Sequence, residues 1–218
     1  MKTPKEFVFA AVANERRGIA SLIESLDDSQ LATESLCTGW DVKTVAAHLV
    51  SVFADGFWGF QVAAVRHAGI HRGIDALARR RAQSPAADIA GALRKGADHE
   101  LSPPVSGPLS GLTDVLVHGG DIRIPLGLPF EPDPELVALS LDFLTGRRAL
   151  AFVPFGRLRG ICLRADDIDR SWGKGAEVFG PARALMMTAC GRDANLHQLD
   201  GPGLPLLRNR LTGFRDRS

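Results

Sequence analysis

The stretch DVLVHGGD, from Asp114 to Asp121, restricts the possible folds of this chain more than any other. As a helix at about 100° per residue it puts Asp114, His118 and Asp121 into one narrow stripe, because residues three and four apart are neighbours on a helix surface. Leu112, Val115, Leu116, Val117, Ile122 and Ile124 occupy most of the remaining wheel. A segment apolar on nearly every side predicts a helix packed in the middle of other helices. Two carboxylates and an imidazole in such a place need partners, since leaving them unpaired costs several kcal/mol each. A divalent cation would satisfy all three at once; local hydrogen bonds are the alternative reading.

Helical spacing extends through the first two thirds of the chain. Phe7, Ala10, Ala11, Ile19, Leu22, Ile23 and Leu26 mark a first helix over about Glu6 to Leu26. A polar, irregular stretch from Asp27 to Thr38 precedes GWDV, where Gly39 supplies a turn and Asp41 an N-cap. The helix that follows is predicted from Val42 to about His67, bent near Gly56 or Gly59. It carries His48 at the border of its packed face. Gly69 to Gly73 interrupts the pattern, and Ile74 to Gln83 reads as a short solvated helix whose Arg79, Arg80 and Arg81 are surface charge. Pro85 opens a helix to about Asp98, and Pro134 opens another to about Arg148. The Pro- and Gly-rich run from His99 to Pro108 is a loop.

Beyond Thr145 the texture changes. RGICLRA and AEVF alternate as strands do, GPARALMMTAC reads as a helix, and GPGLPLLRNRL as a last short one. These pieces predict a helical domain over 1–150 and a small α+β domain over 151–218.

Composition removes several function classes. Across 218 residues, 26 basic and 25 acidic side chains leave a net charge of +1, so there is no broad field to gather nucleic acid or an anionic membrane surface. No stretch reaches the ~18 apolar residues of a membrane span, and MKTPKEFVF does not resemble a leader; the expectation is a cytoplasmic protein. Cys37, Cys162 and Cys190 are far apart with no CxxC pair. They read as small core residues rather than a disulfide framework or a cysteine zinc site.

His48 from one helix, with Asp114 and His118 four apart on another, makes a set of two nitrogens and one oxygen. In ligand type this resembles a catalytic zinc site, with three protein ligands and coordination positions left for water or substrate. The segments GWDVKTVAAHL, LTDVLVHGGDIRIPLG and LRADDIDRSWGKGAEVFGPARALMMTACGRDANLHQLDG, in this order, resemble the mycothiol-dependent maleylpyruvate isomerase family. The resemblance covers nearly the whole chain. It implies an N-terminal DinB-like antiparallel four-helix bundle that binds a divalent metal, usually zinc, and a small C-terminal α+β domain that helps to form the site of a thiol cofactor. By motif, His48, Asp114 and His118 take the ligand positions. The sequence departs from relatives with isomerase chemistry at Asp114, where they have glutamate, one methylene longer. Asp121 takes the place of a partner that orients His118, the alternative being a salt bridge with Arg123 or Arg94. Arg192, in CGRDAN, matches a segment where a cation could meet a carboxylate of substrate or cofactor.

The function so implied is that of a metal-dependent enzyme using mycothiol or a similar thiol for S-transfer or cis-trans isomerisation of a small electrophile. The alternative is a non-catalytic relative that binds a metal or small ligand. A third reading, metal-assisted hydrolysis, requires a general base, for which Asp55 and Asp121 are the candidates.

Overall fold

The computed structural model describes residues 4–149 and 152–215. Two compact units emerge, residues 1–130 and residues 131–218. The boundary anticipated near residue 150 coincides with residues 150 and 151, which lie outside the described residues. The helix opened by Pro134, placed before that boundary in the sequence reading, groups with the second unit.

In the first unit, α1 (Lys5–Ser25) buries Val8, Val12, Ile19 and Ile23. Their spacing of four, seven and four keeps them on one stripe, and each such side chain contributes roughly 1.5–3 kcal/mol when fully buried. A one-turn helix, α2 (Asp28–Leu31), forms within the polar stretch from Asp27 to Thr38, where no helix is expected. Its capping box explains it: Asp27 accepts from the Gln30 backbone and Gln30 Oε1 accepts from the Asp27 backbone. Asp41 caps α3 (Val42–Ala54), its carboxylate accepting from the Thr44 N–H at 2.7 Å. The single long helix anticipated to His67 is two, because Gly56 adopts φ +62° and turns the chain into α4 (Gly56–Arg66).

The following helix, α5 (Ile70–Ala82), starts earlier than its glycines suggested. Gly73 is inside it because a Cβ there would lie 2.7 Å from the Ala64 nitrogen of α4. The residue that looked like a breaker is a close crossing point. Next come α6 (Ala86–Lys95) and α7 (Pro108–Arg123), the latter with Pro108 in its first turn. α1 and α3 each pack against both α6 and α7, which closes a four-helix bundle, while α5 lies against α3 and α4. Buried Arg16 of α1 ties this bundle at the end of α6, where its Nη1 donates to the carbonyls of Gly96, Ala97 and His99 at 3.2, 3.1 and 2.9 Å. A cation at a helix C-terminus meets the negative end of the dipole as well as its unpaired carbonyls.

The second unit begins with α8 (Pro134–Leu144), capped by Asp133. Its sheet has β1 (Ile161–Ala165) in the centre, antiparallel to β2 (Arg170–Gly173) and parallel to β3 (Ala176–Gly180). Leu163 faces Trp172 on one side and Val178 on the other. α8 packs against β2 and α9 (Ala182–Ala189). Asp142 of α8 accepts from Trp172 Nε1 at 2.7 Å and from Arg170 at 3.0 Å. A 3-10 turn (Leu196–Gln198) and α10 (Leu204–Arg215) complete the unit.

Candidate metal centre

α7 is buried nearly all round: from Leu112 to Ile122 every residue is buried except Asp114, whose side chain is 17% exposed. The i, i+4 spacing sets Asp114 beside His118, with His118 Nε2 3.5 Å from Asp114 Oδ1. α3 packs on α7 and brings in His48, whose Nε2 lies 3.7 Å from the same oxygen. The two imidazoles meet edge to face, ring centres 4.9 Å apart. One ligating atom from each of the three residues falls within 4.8 Å of the others.

These separations favour a shared ion over direct bonds. Nitrogen and oxygen ligands about 2.0–2.1 Å from a tetrahedral zinc stand about 3.3 Å from each other, whereas N–H···O bonds run about 2.7–3.2 Å. The front of His118, at 3.5 and 3.7 Å among the three, is spaced for an ion. Aspartate, despite its shorter arm, has a single oxygen within that range of both histidines. The donor set and its spacing therefore fit a divalent cation.

Behind His118 the spacing is different. Its Nδ1 is 2.8 Å from Asp121 Oδ2, a hydrogen-bond length, and Asp121 is fully buried. Arg94, one of the cations weighed as a partner for Asp121, pairs with Glu24, and Arg123 donates to the Gly119 carbonyl. Cys37, read as a plain core residue, is half-buried with its Sγ 3.1 Å from Asp121 Oδ2 and 3.6 Å from His118 Nδ1. Sequence reasoning missed it because 81 positions separate it from His118 and no spacing rule joins a loop to a helix. Cys190, in contrast, is buried.

Trp40, in the same loop as Cys37, packs its ring 5.2 Å from that of His48. Its Nε1 donates to Asp75 at 2.7 Å, and Asp75 also accepts from Arg79. Among the described residues the buried His48 Nδ1 has no hydrogen-bond partner. The arginine run of α5 is consumed in pairing: Arg80 and Arg81 hold Asp55 at 3.3 and 3.0 Å. Asp55 is thereby engaged as an ion-pair partner, which weakens it as the base that hydrolysis would require. Arg192 belongs to the second unit, where its Nη1 donates to the Cys190 carbonyl at 2.8 Å.

Burial and charge set opposite protonation tendencies in the cluster. Burial pushes the His48 pKa down and outweighs the nearby carboxylates, leaving a neutral imidazole with a lone pair to offer. Burial would push the Asp114 carboxyl up, but the two imidazoles hold it well below the usual carboxylate range. Burial would also lower His118, yet the carboxylates of Asp114 and Asp121, both within reach of its ring nitrogens, raise it well above the usual value.

Comparison with known proteins agrees with this architecture. A family model described as the mycothiol maleylpyruvate isomerase N-terminal domain matches residues 12–123, more than half of the chain. Among curated proteins none matches. Two solved structures, titled as the mycothiol-dependent maleylpyruvate isomerase and its histidine-to-alanine mutant, align at TM-score 0.59 over 92% of this chain and 93% of theirs. At 12% identity, they show a shared fold. The matched residues include every member of the cluster from Cys37 to Asp121, and the chain belongs to the mycothiol maleylpyruvate isomerase family.

Proposed function

We propose that the chain is a metal-dependent enzyme that uses mycothiol or a similar low-molecular-weight thiol to isomerise, or to transfer sulfur to, a small electrophilic substrate. The observation that carries this reading is the spacing of His48, Asp114 and His118, too wide for hydrogen bonds and suited to a common cation. Family membership supports the thiol and the enzyme class. A divalent cation, taken here as zinc, would supply a Lewis acid that favours the deprotonated form of a thiol at neutral pH.

The residues of the chain divide the remaining work. His48 and, once its Nε2 proton is displaced, His118 offer imidazole nitrogens, and Asp114 adds the negative charge that the two imidazoles then lack. Asp121 accepts a hydrogen bond from the Nδ1–H of His118, which leaves Nε2 facing Asp114 and His48. The Trp40 ring covers His48 on its flank. A thiolate that adds to a double bond conjugated with a carbonyl makes a carbon–sulfur bond, the double bond's electron pair moving onto the carbonyl oxygen as an enolate and leaving a single bond. Rotation followed by return of that pair and loss of the thiolate gives the isomer, while protonation of the enolate at carbon with sulfur retained gives a conjugate. Arg192 is the candidate to meet a carboxylate of substrate or thiol.

Metal content after purification from zinc-supplemented medium tests the centre: His48→Ala and His118→Ala are each expected to abolish it, and unchanged content in both overturns the ligand set. Incubation of an electrophile with and without mycothiol tests the chemistry. Product that forms only with thiol supports the enzyme, and metal binding without any thiol-dependent product supports the non-catalytic alternative.

A further inference from the structure

The polar groups behind His118 form a second arrangement, built by a loop rather than by the bundle. Residues 35–41 are bonded to themselves and to α7. Ser35 N–H donates to the Trp40 carbonyl at 2.9 Å, Trp40 N–H to the Cys37 carbonyl at 3.0 Å, and Leu36 N–H to the Asp121 carbonyl at 3.3 Å. The Ser35 hydroxyl accepts from the Cys37 N–H at 3.1 Å and donates to the Trp40 carbonyl at 2.8 Å. The Cys37 backbone is thus fixed through both its N–H and its carbonyl. Its sulfur points to the same Asp121 oxygen, Oδ2, that faces His118 Nδ1.

We propose that Cys37 is a positioning residue of the metal centre, its S–H holding Asp121 so that His118 keeps its proton on Nδ1 and presents Nε2 to the ion. This rests on the proposed metal centre and adds to it a role for a thiol that no ligand motif predicts. A carboxylate oxygen that receives two donors from different directions cannot swing toward either without losing the other. Asp121 is fully buried, so a lost donor leaves part of a buried charge uncompensated. Cys37 is not itself a ligand in this scheme. The 2.8 Å between His118 Nδ1 and Asp121 Oδ2 is a hydrogen bond, and an ion between them would need that proton removed and the atoms spread to about 3.3 Å.

Zinc affinity, measured on the full chain by competition with a chromophoric chelator, tests the proposal. Cys37→Ala is expected to weaken zinc binding about tenfold or more, the range for loss of a partner behind a metal-bound histidine. Cys37→Ser, which retains a donor, is expected to recover most of that loss. Nitrogen-15 NMR of the zinc-loaded imidazoles should show a protonated Nδ1 at His118 in the parent and the Ser variant, and exchange between nitrogens in the Ala variant. Thermal melts of the metal-free proteins identify any variant that fails through folding; the Ser variant then carries the test.

Parent-like zinc affinity and tautomer in Cys37→Ala would overturn the positioning role while leaving the centre intact. A sulfur-to-metal charge-transfer band in the cobalt-loaded parent that disappears in Cys37→Ser would also overturn it, by making the sulfur a ligand. If the parent binds no zinc, the centre itself fails and the proposal falls with it, a result distinct from the other two.

Discussion

His118 holds opposite obligations on its two nitrogens, and its protonation follows. Flanked by Asp114 and Asp121, it keeps its proton well above the usual imidazole value in the metal-free chain. A histidine raised in the folded state contributes stability that is complete below its unfolded pKa of about 6.5 and is lost as pH climbs through the raised value. The depressed Asp114 carboxyl works in the other direction, its contribution being lost only as pH falls through its low folded value. At neutral pH both are in force. A metal must therefore displace the Nε2 proton: zinc binding at pH 7 should release about one proton per site, and affinity should increase with pH. Calorimetry in buffers of different ionisation enthalpy measures the release; none would show that His118 is already neutral. Asp114→Asn removes the one charged ligand and is expected to weaken zinc binding by about 100-fold or more, read by the same chelator competition, since outer-shell losses alone reach about that range. Asp114 and His118 could be read as neighbours because helix periodicity puts positions four apart together. Cys37 could not, since its place depends on how one loop meets α7.

Helix crossings make glycine informative at the level of elements. Gly73 of α5 passes so near α4 that an added Cβ would sit 2.7 Å from backbone nitrogen and 2.8 Å from backbone carbon. Gly73→Ala must push the helices apart and is expected to cost about 1–3 kcal/mol in urea unfolding. Gly91 of α6 has no atom of the described residues within 4 Å of the same hypothetical atom. Gly91→Ala should accordingly stabilise by roughly 0.5–1 kcal/mol, the helix-propensity difference alone. Equal effects from the two would show that packing is not what distinguishes them. In sequence both glycines look alike, because periodicity reports a helix's buried face and not the distance to its neighbour. The same blindness joined α3 to α4 across Gly56 and started α5 too late. It passed over β2 as well, a short strand whose alternation rests on Trp172 alone.

For the molecule as a whole, all the polar groups of the candidate centre belong to residues 1–130, a unit with its own buried core. A chain ended after Phe130 should fold and bind zinc with the affinity of the full protein, whatever it loses in turnover. Circular dichroism and metal analysis of that fragment decide it; a folded fragment without zinc would mean that the second unit is needed to complete the centre. The class of fold was legible because buried helices and half-buried strands carry different periods. Where one unit ends was not, since α8 has the same helical texture as the bundle and only its packing on α9 and β2 assigns it.

Most surface loops accept extra residues, since their ends are anchored and their middles are not. The loop over residues 35–41 has no such slack: Cys37 reaches the rear of one ligand, Trp40 leans on the other, and the turn between them is closed by its own hydrogen bonds. Its length sets where Cys37 and Trp40 stand against the two imidazoles. Inserting a single residue there would strip both imidazoles of their neighbours at once, although neither histidine had been touched.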